Sequence, residues 1–279
     1  MNRHLLIARK YRVAASVSLR NRLAYLGNFA SSLATYALFI FVFSRIWTAV
    51  FSGAAAGSAP APASGHRTIA GYDRAMCIWY FIVAEVPMFG FGHFFYTLAQ
   101  DMKSGQVAYL LGRPYSFVGY HYAGSMGSAV LESALLLVVG LILGSVFAGP
   151  IPLGSLAQAG AILLSLLLAG SLQFLLQFAI AMTAFWFEEN TAFFWIFQKI
   201  ALVVGTLLPL EFLPDAAQRV AWWTPFPLLA YAPARIAVAF APATALRLLL
   251  LQAVWVSIAA VTCRLVFSVG RAKITSQGG

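Results

Sequence analysis

Apolar runs long enough to cross a lipid bilayer decide what this chain can become. The stretch AVLESALLLVVGLILGSVFAG, Ala129 to Gly149, contains a single ionisable side chain, Glu132. A helix needs about 20 such residues to cover roughly 30 Å of hydrocarbon, and several runs of this kind recur along the sequence. A soluble domain would need a charged surface, with about 25% Asp, Glu, Lys and Arg. Here the charged share is 9% against 61% hydrophobic, over 279 residues, and the mean hydropathy is +0.83. The expectation is an all-α, polytopic membrane protein.

The runs place six transmembrane helices, at about 23–51, 74–100, 119–147, 156–187, 191–210 and 246–269. A Pro- and Ala-rich linker, SGAAAGSAPAPASGHR, separates the first two and is too poor in large apolar residues to build a core. Residues 1–22 are basic and contain no acid. Ile7, Tyr11, Ala14 and Ser18 share one helical face with Arg9 and Arg20 roughly opposite, while Leu5, Val13 and Val17 fall among the basic positions. Two readings stand: an amphipathic helix on the inner membrane surface, or a basic tail orienting the first span. No secretory signal is expected, since the first apolar run is too long and lacks a small-residue cleavage site. The domain layout is therefore an interfacial helix over 1–22, a six-helix domain over 23–269 and a tail over 270–279. Within the domain lie a polar loop at 101–118 and a proline-broken segment at 209–242.

The net charge is +10, from 18 Lys and Arg against 8 Asp and Glu. The cations sit mainly at the ends of apolar runs, where they select the cytoplasmic side and meet anionic headgroups; no nucleic-acid partner is expected. Arg3, Arg9, Lys10, Arg12, Arg20, Arg22, Lys103, Arg113, Arg271 and Lys273 fall on one side of a six-span topology. Arg67, Arg74, Arg219, Arg235 and Arg247 fall on the other. The bias predicts cytoplasmic N- and C-termini.

Several chemistries have no signature here. None of Lys10, Lys103, Lys199 and Lys273 follows a glycine, so the chain carries no GxxxxGK[ST] phosphate loop. His4, His66, His93 and His121 make no HExxH, and no GxSxG occurs. Cys77 and Cys263, far apart and apolar in setting, form neither a metal spacing nor a disulfide framework. The chain is not expected to be an enzyme or to hold a cofactor.

Ionisable groups at membrane depth are expensive, so they carry functional hypotheses. Glu85, Glu132 and Lys199 fall inside spans. His121, Ser125, Ser128 and Glu132 follow i, i+4, i+7, i+11 and line one helical stripe; Gln173 and Gln177 make a shorter one. These eight residues either line a substrate path or hydrogen-bond packed helices, with Glu132 or Glu85 paired to Lys199. Gly140 and Gly144 form a GxxxG that permits close helix approach, within the chain or in a dimer.

Two motifs then point to a family. The first is DMKSGQVAYLLGRPYS, Asp101 to Ser116, a polar loop among apolar runs. The second is VVGTLLPLEFLPDAAQRVAWWTPFPLLAYAPARI, residues 203–236. Together with the six-span layout they resemble the membrane subunits of ABC-2-type ABC transporters, particularly bacterial permeases encoded in pairs beside one ATPase. The resemblance implies an exporter permease in the bacterial cytoplasmic membrane. It implies a second permease chain, identical or related, and two copies of an ABC ATPase subunit that binds the ATP and Mg.

The resemblance also implies that the first loop is a coupling helix docking on that ATPase. Asp101 suits a helix start and Gly112 with Pro114 an end. Val107, Tyr109, Leu110 and Leu111 offer apolar contact, Lys103 and Arg113 charge, and Gly105 belongs to the motif. A solvated connector is the competing reading of the loop. For the proline-broken segment the alternatives are a surface anchor and a lid over the exit path. Two other function classes remain open at this point: an ion- or proton-coupled carrier using Glu85, Glu132 and Lys199, and a membrane scaffold that transports nothing.

Overall fold

The computed structural model describes residues 3–24, 26–53, 68–91, 94–103, 116–187 and 189–277. Among these there is no β-strand, only an isolated bridge between Ile69 and Tyr72. Ten α-helices are described: α1 (Arg3–Ala24), α2 (Leu26–Gly53), α3 (Arg74–Gly90), α4 (Phe94–Lys103), α5 (Phe117–Ala148), α6 (Leu156–Met182), α7 (Thr191–Ala201), α8 (Asp215–Trp222), α9 (Pro227–Val238) and α10 (Pro242–Gln277). Most of loop 101–118, including Gly105, Val107, Tyr109, Leu110, Leu111 and Arg113, lies outside the described residues, as does the side chain of Lys103.

The helix starts obey local chemistry. Asp73, Ser116 and Ser155 are N-caps whose side chains accept from Met76 N, Gly119 N and Gln158 N, at 2.7, 3.2 and 3.1 Å. Each satisfies one of the amides that a helix start leaves without an internal partner.

Among the described residues five stretches are long and apolar enough to cross a membrane: Phe29–Ser52, Arg74–Met102, Phe117–Ala148, Leu156–Phe185 and Pro242–Gly270. The fifth expected span, 191–210, is helical only over Thr191–Thr206. At 1.5 Å per residue it reaches roughly 24 Å, short of a full hydrocarbon core. Its last turn, Leu202–Thr206, is a π-helix, and the backbone then leaves helical geometry at Pro209.

Apolar side chains cover the outside as well as the core. Along α10, Leu246, Leu250, Val254, Ile258, Val261, Leu265 and Val269 form one exposed stripe at helical spacing. A soluble monomer rarely leaves such a continuous apolar face in water; facing lipid tails it has no cost. By contrast α3 is buried on nearly all sides from Cys77 to Met88. It packs against α2, α5 and α9, while α6 packs against α9 and α10.

Two ends can be told apart by contacts. At one end, Phe117 stacks on Phe267 with ring centroids 5.2 Å apart, Tyr11 Oη accepts from Ser116 N at 3.2 Å, and Gly270 abuts Phe185. This end gathers α1 and the final turns of α10, and is called proximal. At the other, distal end, Trp79 Nε1 donates to Gly149 O at 3.1 Å and Arg74 to Phe147 O at 3.1 Å.

The proline-broken segment divides into two parts with opposite surroundings. Helix α8 is a surface element, with Val220 and Trp223 among the most exposed side chains of the chain. Helix α9 is buried along almost its whole length. Gln252 Nε2 donates to Leu228 O at 2.9 Å, Gln158 Nε2 donates to Ala237 O at 2.9 Å, and Tyr80 Oη donates to Gly205 O at 2.6 Å. Gly205 lets this crossing happen: a Cβ there would lie 3.3 Å from Phe226 O and 3.5 Å from Pro227 Cα. Helix α8 thus lies on the outside of the chain, whereas α9 is returned to the interior. Irregular backbone at that depth is tolerated because protein surrounds it.

Candidate functional site: a polar cavity between the N-terminal helix and the third span

Helix α1 does not stand apart from the bundle. It runs beside the proximal half of α5, with Tyr11 against Gly119, Ser18 against Gly124 and the Ala15 backbone against Gly127. A Cβ at Gly127 would overlap Ala15 O, so the small residues of α5 form the seat for α1. The face that meets α5 includes Tyr11, Ala14 and Ser18, the residues that the helical spacing sets together.

Between α1, the α3–α4 junction and α5 lies a cavity of ≈ 350 Å³. Its walls include His121, Ser125, Ser128 and Glu132 from α5, Ser18 and Arg22 from α1, and Thr97 and Asp101 from α4. The four-residue stripe read from the spacing thus lines a real cavity, and Asp101 joins it. Sequence reasoning missed Ser18, Arg22 and Thr97. Only the shared face of Ser18 with Tyr11 and Ala14 hinted at them.

Glu132 is buried and forms an ion pair with Arg22. The guanidinium also stands over the Phe29 ring, 5.3 Å from its centroid. His121 sits in an aromatic nest, edge-on to Phe117 at 4.5 Å and to Phe94 at 6.1 Å. Its Nε2 has no hydrogen-bond partner among the described residues. The cavity therefore offers two carboxylates, one guanidinium, an imidazole and several hydroxyls against aromatic walls. That is a surface for holding a polar or amphipathic group. Among the described residues no three His, Cys, Asp or Glu side chains come together as metal ligands.

The remaining residues have other settings. Lys199 is exposed on α7 and stands 5.6 Å from the Trp195 ring centroid. It pairs with neither Glu132, whose partner is Arg22, nor Glu85. The expected Lys199 pairing is thereby corrected: the side chain faces outward, away from both buried carboxylates, with its ammonium over the Trp195 ring. Glu85 is buried in α3 outside the cavity, and its Oε1 has no hydrogen-bond partner among the described residues. Gln177 is a helix clasp: its Nε2 donates to Phe91 O at 3.0 Å and its Oε1 accepts from Phe95 N at 3.3 Å, bridging the end of α3 and the start of α4. Gln173, one turn away, is fully buried with both amide atoms unpartnered among the described residues.

The GxxxG pair packs inside the chain. A Cβ on Gly144 would lie 2.5 Å from the Trp79 ring, and one on Gly140 would lie 2.6 Å from Tyr36 Oη and 2.7 Å from Ile82.

At the distal end a second polar cluster ties α9 to the turn at Leu210–Phe212. Tyr231 Oη donates to Glu211 Oε1 at 2.8 Å, and Arg235 Nε approaches the same oxygen at 3.3 Å. Arg235 also stands 5.8 Å from the Tyr72 ring centroid. Burial, and secondarily the Glu211 charge, hold the Tyr72 phenol well above its ordinary pKa, so it stays neutral.

A family described as ABC-2 family transporter protein matches residues 64–278, more than half of the chain. No curated protein gives a significant match.

Proposed function

The chain belongs to the ABC-2 transporter family, and from that premise we propose that it is the permease subunit of an ATP-driven exporter coupled to a separate ATPase through residues 101–116. It is a multi-pass membrane protein with a permease role. The assembly proposed is two permease chains, alike or paired with a relative, and two ATPase copies that bind the ATP and Mg. The bacterial cytoplasmic membrane is the proposed location. ATP hydrolysis belongs to the partner, since this chain has no phosphate loop.

The observation that carries the reading is the position of the cavity. Its wall includes Asp101, the residue with which the proposed coupling loop begins, and its far side holds Glu132 within the third span. Force applied to that loop by a closing ATPase pair reaches α4 first. Helix α4 is joined through the Gln177 clasp to α3 and α6. A push at the loop is thus delivered to the wall of a polar cavity. The proximal end carries α1, rich in Arg and Lys, and it is assigned to the cytoplasm by the positive-inside bias.

The test is co-purification with the ATPase encoded nearest to this chain, followed by ATPase turnover in lipid nanodiscs. The wild-type chain is expected to bind that subunit and change its turnover. Replacement of residues 103–113 by a Gly/Ser linker is expected to leave insertion intact and abolish the effect. A well-inserted wild-type chain with no influence on the ATPase defeats the reading. Transport driven by a proton gradient without ATP favours a carrier using the buried carboxylates instead.

A further inference from the structure

A second cavity, of ≈ 520 Å³, opens at the proximal end between α5 and α10, with α6 as its floor. Its walls are graded. Arg264 and Ser116 stand at the proximal rim, the Tyr122 and Ser171 hydroxyls lie 2.8 Å apart within it, and Leu175 and Val256 supply apolar surface. Among the described residues no acid lines it. Ser171 donates to Leu167 O, which leaves Tyr122 as the donor to Ser171 and both hydroxyls internally engaged.

Arg264 is exposed, and no carboxylate among the described residues is paired with it; the ion pairs described involve Arg22 and Arg235. It stands on the face of α10 that also carries Val256, Ala260 and Phe267 into the groove. Stacking of Phe117 on Phe267 at 5.2 Å joins α5 to α10 beside this cation. The α6 lining of the groove is Ser171 and Leu175; about one and two turns beyond Ser171, on the same helical face, Leu167 and Leu164 are exposed. A charged head beside Arg264 with an apolar tail along Leu175, Leu167 and Leu164 matches the whole surface.

We propose that this groove binds one anionic phospholipid of the inner leaflet, with its phosphate on Arg264 and an acyl chain along the exposed leucine face of α6. Guanidinium recognises phosphate by paired, charge-assisted hydrogen bonds. A lipid fits better than a free phosphate ion, which would leave the neighbouring exposed Leu167 and Leu164 uncovered. The inner-leaflet placement rests on the proposed orientation, whereas binding itself does not depend on an ATPase partner, so the two ideas fail separately.

The test uses the full chain in mild detergent, titrated with phosphatidylglycerol or phosphatidylcholine, with retained lipid counted by native mass spectrometry. The wild type is expected to retain phosphatidylglycerol roughly tenfold better than phosphatidylcholine: both present a phosphate, but only phosphatidylcholine brings a second cation beside Arg264. Arg264→Gln is expected to lose that preference, and Arg264→Lys to keep most of it. Ala260→Trp, which fills the groove, is expected to abolish retention of both lipids. Size-exclusion profiles identify any variant that fails to fold, and Arg264→Lys then carries the comparison. Equal retention of the two lipids by the wild type overturns the proposal, as does undiminished phosphatidylglycerol binding in Arg264→Gln. Disulfide cross-linking of Val256→Cys between two copies in native membranes overturns it in favour of a protein interface.

Discussion

Arg22 of the N-terminal helix and Glu132 of the third span form an ion pair beside the polar cavity, with the carboxylate buried and the arginine side chain partly exposed. The pair ties α1 to α5, and the same Arg22 stands over Phe29 of α2.

Removing the two partners is expected to have unequal costs. Arg22→Gln leaves a buried carboxylate without its cation and should lower stability by about 1–3 kcal/mol, below the range for fully buried pairs because Arg22 reaches water. Glu132→Gln should cost less, since the guanidinium left behind can solvate. A double-mutant cycle by thermal unfolding in nanodiscs should give a coupling of about 0.5–3 kcal/mol. Additive effects would mean that the pair does not hold α1.

Two glutamines on one stripe should behave oppositely. Gln177→Leu orphans Phe91 O and Phe95 N, with an expected loss of about 1–3 kcal/mol for each buried group left unpaired. Gln173→Leu removes a buried amide that has no partner among the described residues, and should be neutral or stabilising. Denaturation midpoints of the two variants, measured side by side, check the sign of each.

Glycine substitution should distinguish a packed face from an open one. Gly144→Ala drives a methyl into the Trp79 ring, which its bond to Gly149 O holds in place; overpacking of this kind costs about 1–3 kcal/mol. A Cβ on Gly160 meets nothing within 4 Å, so Gly160→Ala should gain up to about 1 kcal/mol from helix propensity. If the Gly144 variant instead left the melting temperature unchanged and broke a dimer, the intrachain packing would be refuted.

Lys199→Met should leave stability within about 0.5 kcal/mol of wild type, the usual range for an outward-facing position without a buried partner. A large loss in a thermal melt would restore the idea of a Lys199–carboxylate pair.

Much of this was visible in the residues because the period of a helix sorts them. The spacing of His121, Ser125, Ser128 and Glu132 put them on one wall, and that of Tyr11, Ala14 and Ser18 put them on one face. What the spacing could not supply was the partner. Nothing local says that the α1 face meets Gly119, Gly124 and Gly127 rather than lipid, since small and apolar residues suit both. Gln177 looked like its neighbour Gln173, yet its role depends on a helix break in a distant span. The fifth span looked full length because apolar residues run on through Leu207 and Leu208 after helical geometry has ended. Helix α9 was hardest of all: an apolar, proline-broken run reads alike on a surface and in an interior.

The burial of α9 also sets an order of assembly. Its 12 residues span roughly 18 Å, too little to insert as an independent transmembrane unit. Its seat is built from α3 and α6, made earlier, and from α10, made later, whose Gln252 holds the Leu228 carbonyl. Helices α3 and α6 can receive the wedge first, and the last long helix closes the seat by adding the Gln252 bond to the Leu228 carbonyl. A chain halted before residue 242 lacks that closing bond, and α9 is expected to be held less tightly in it.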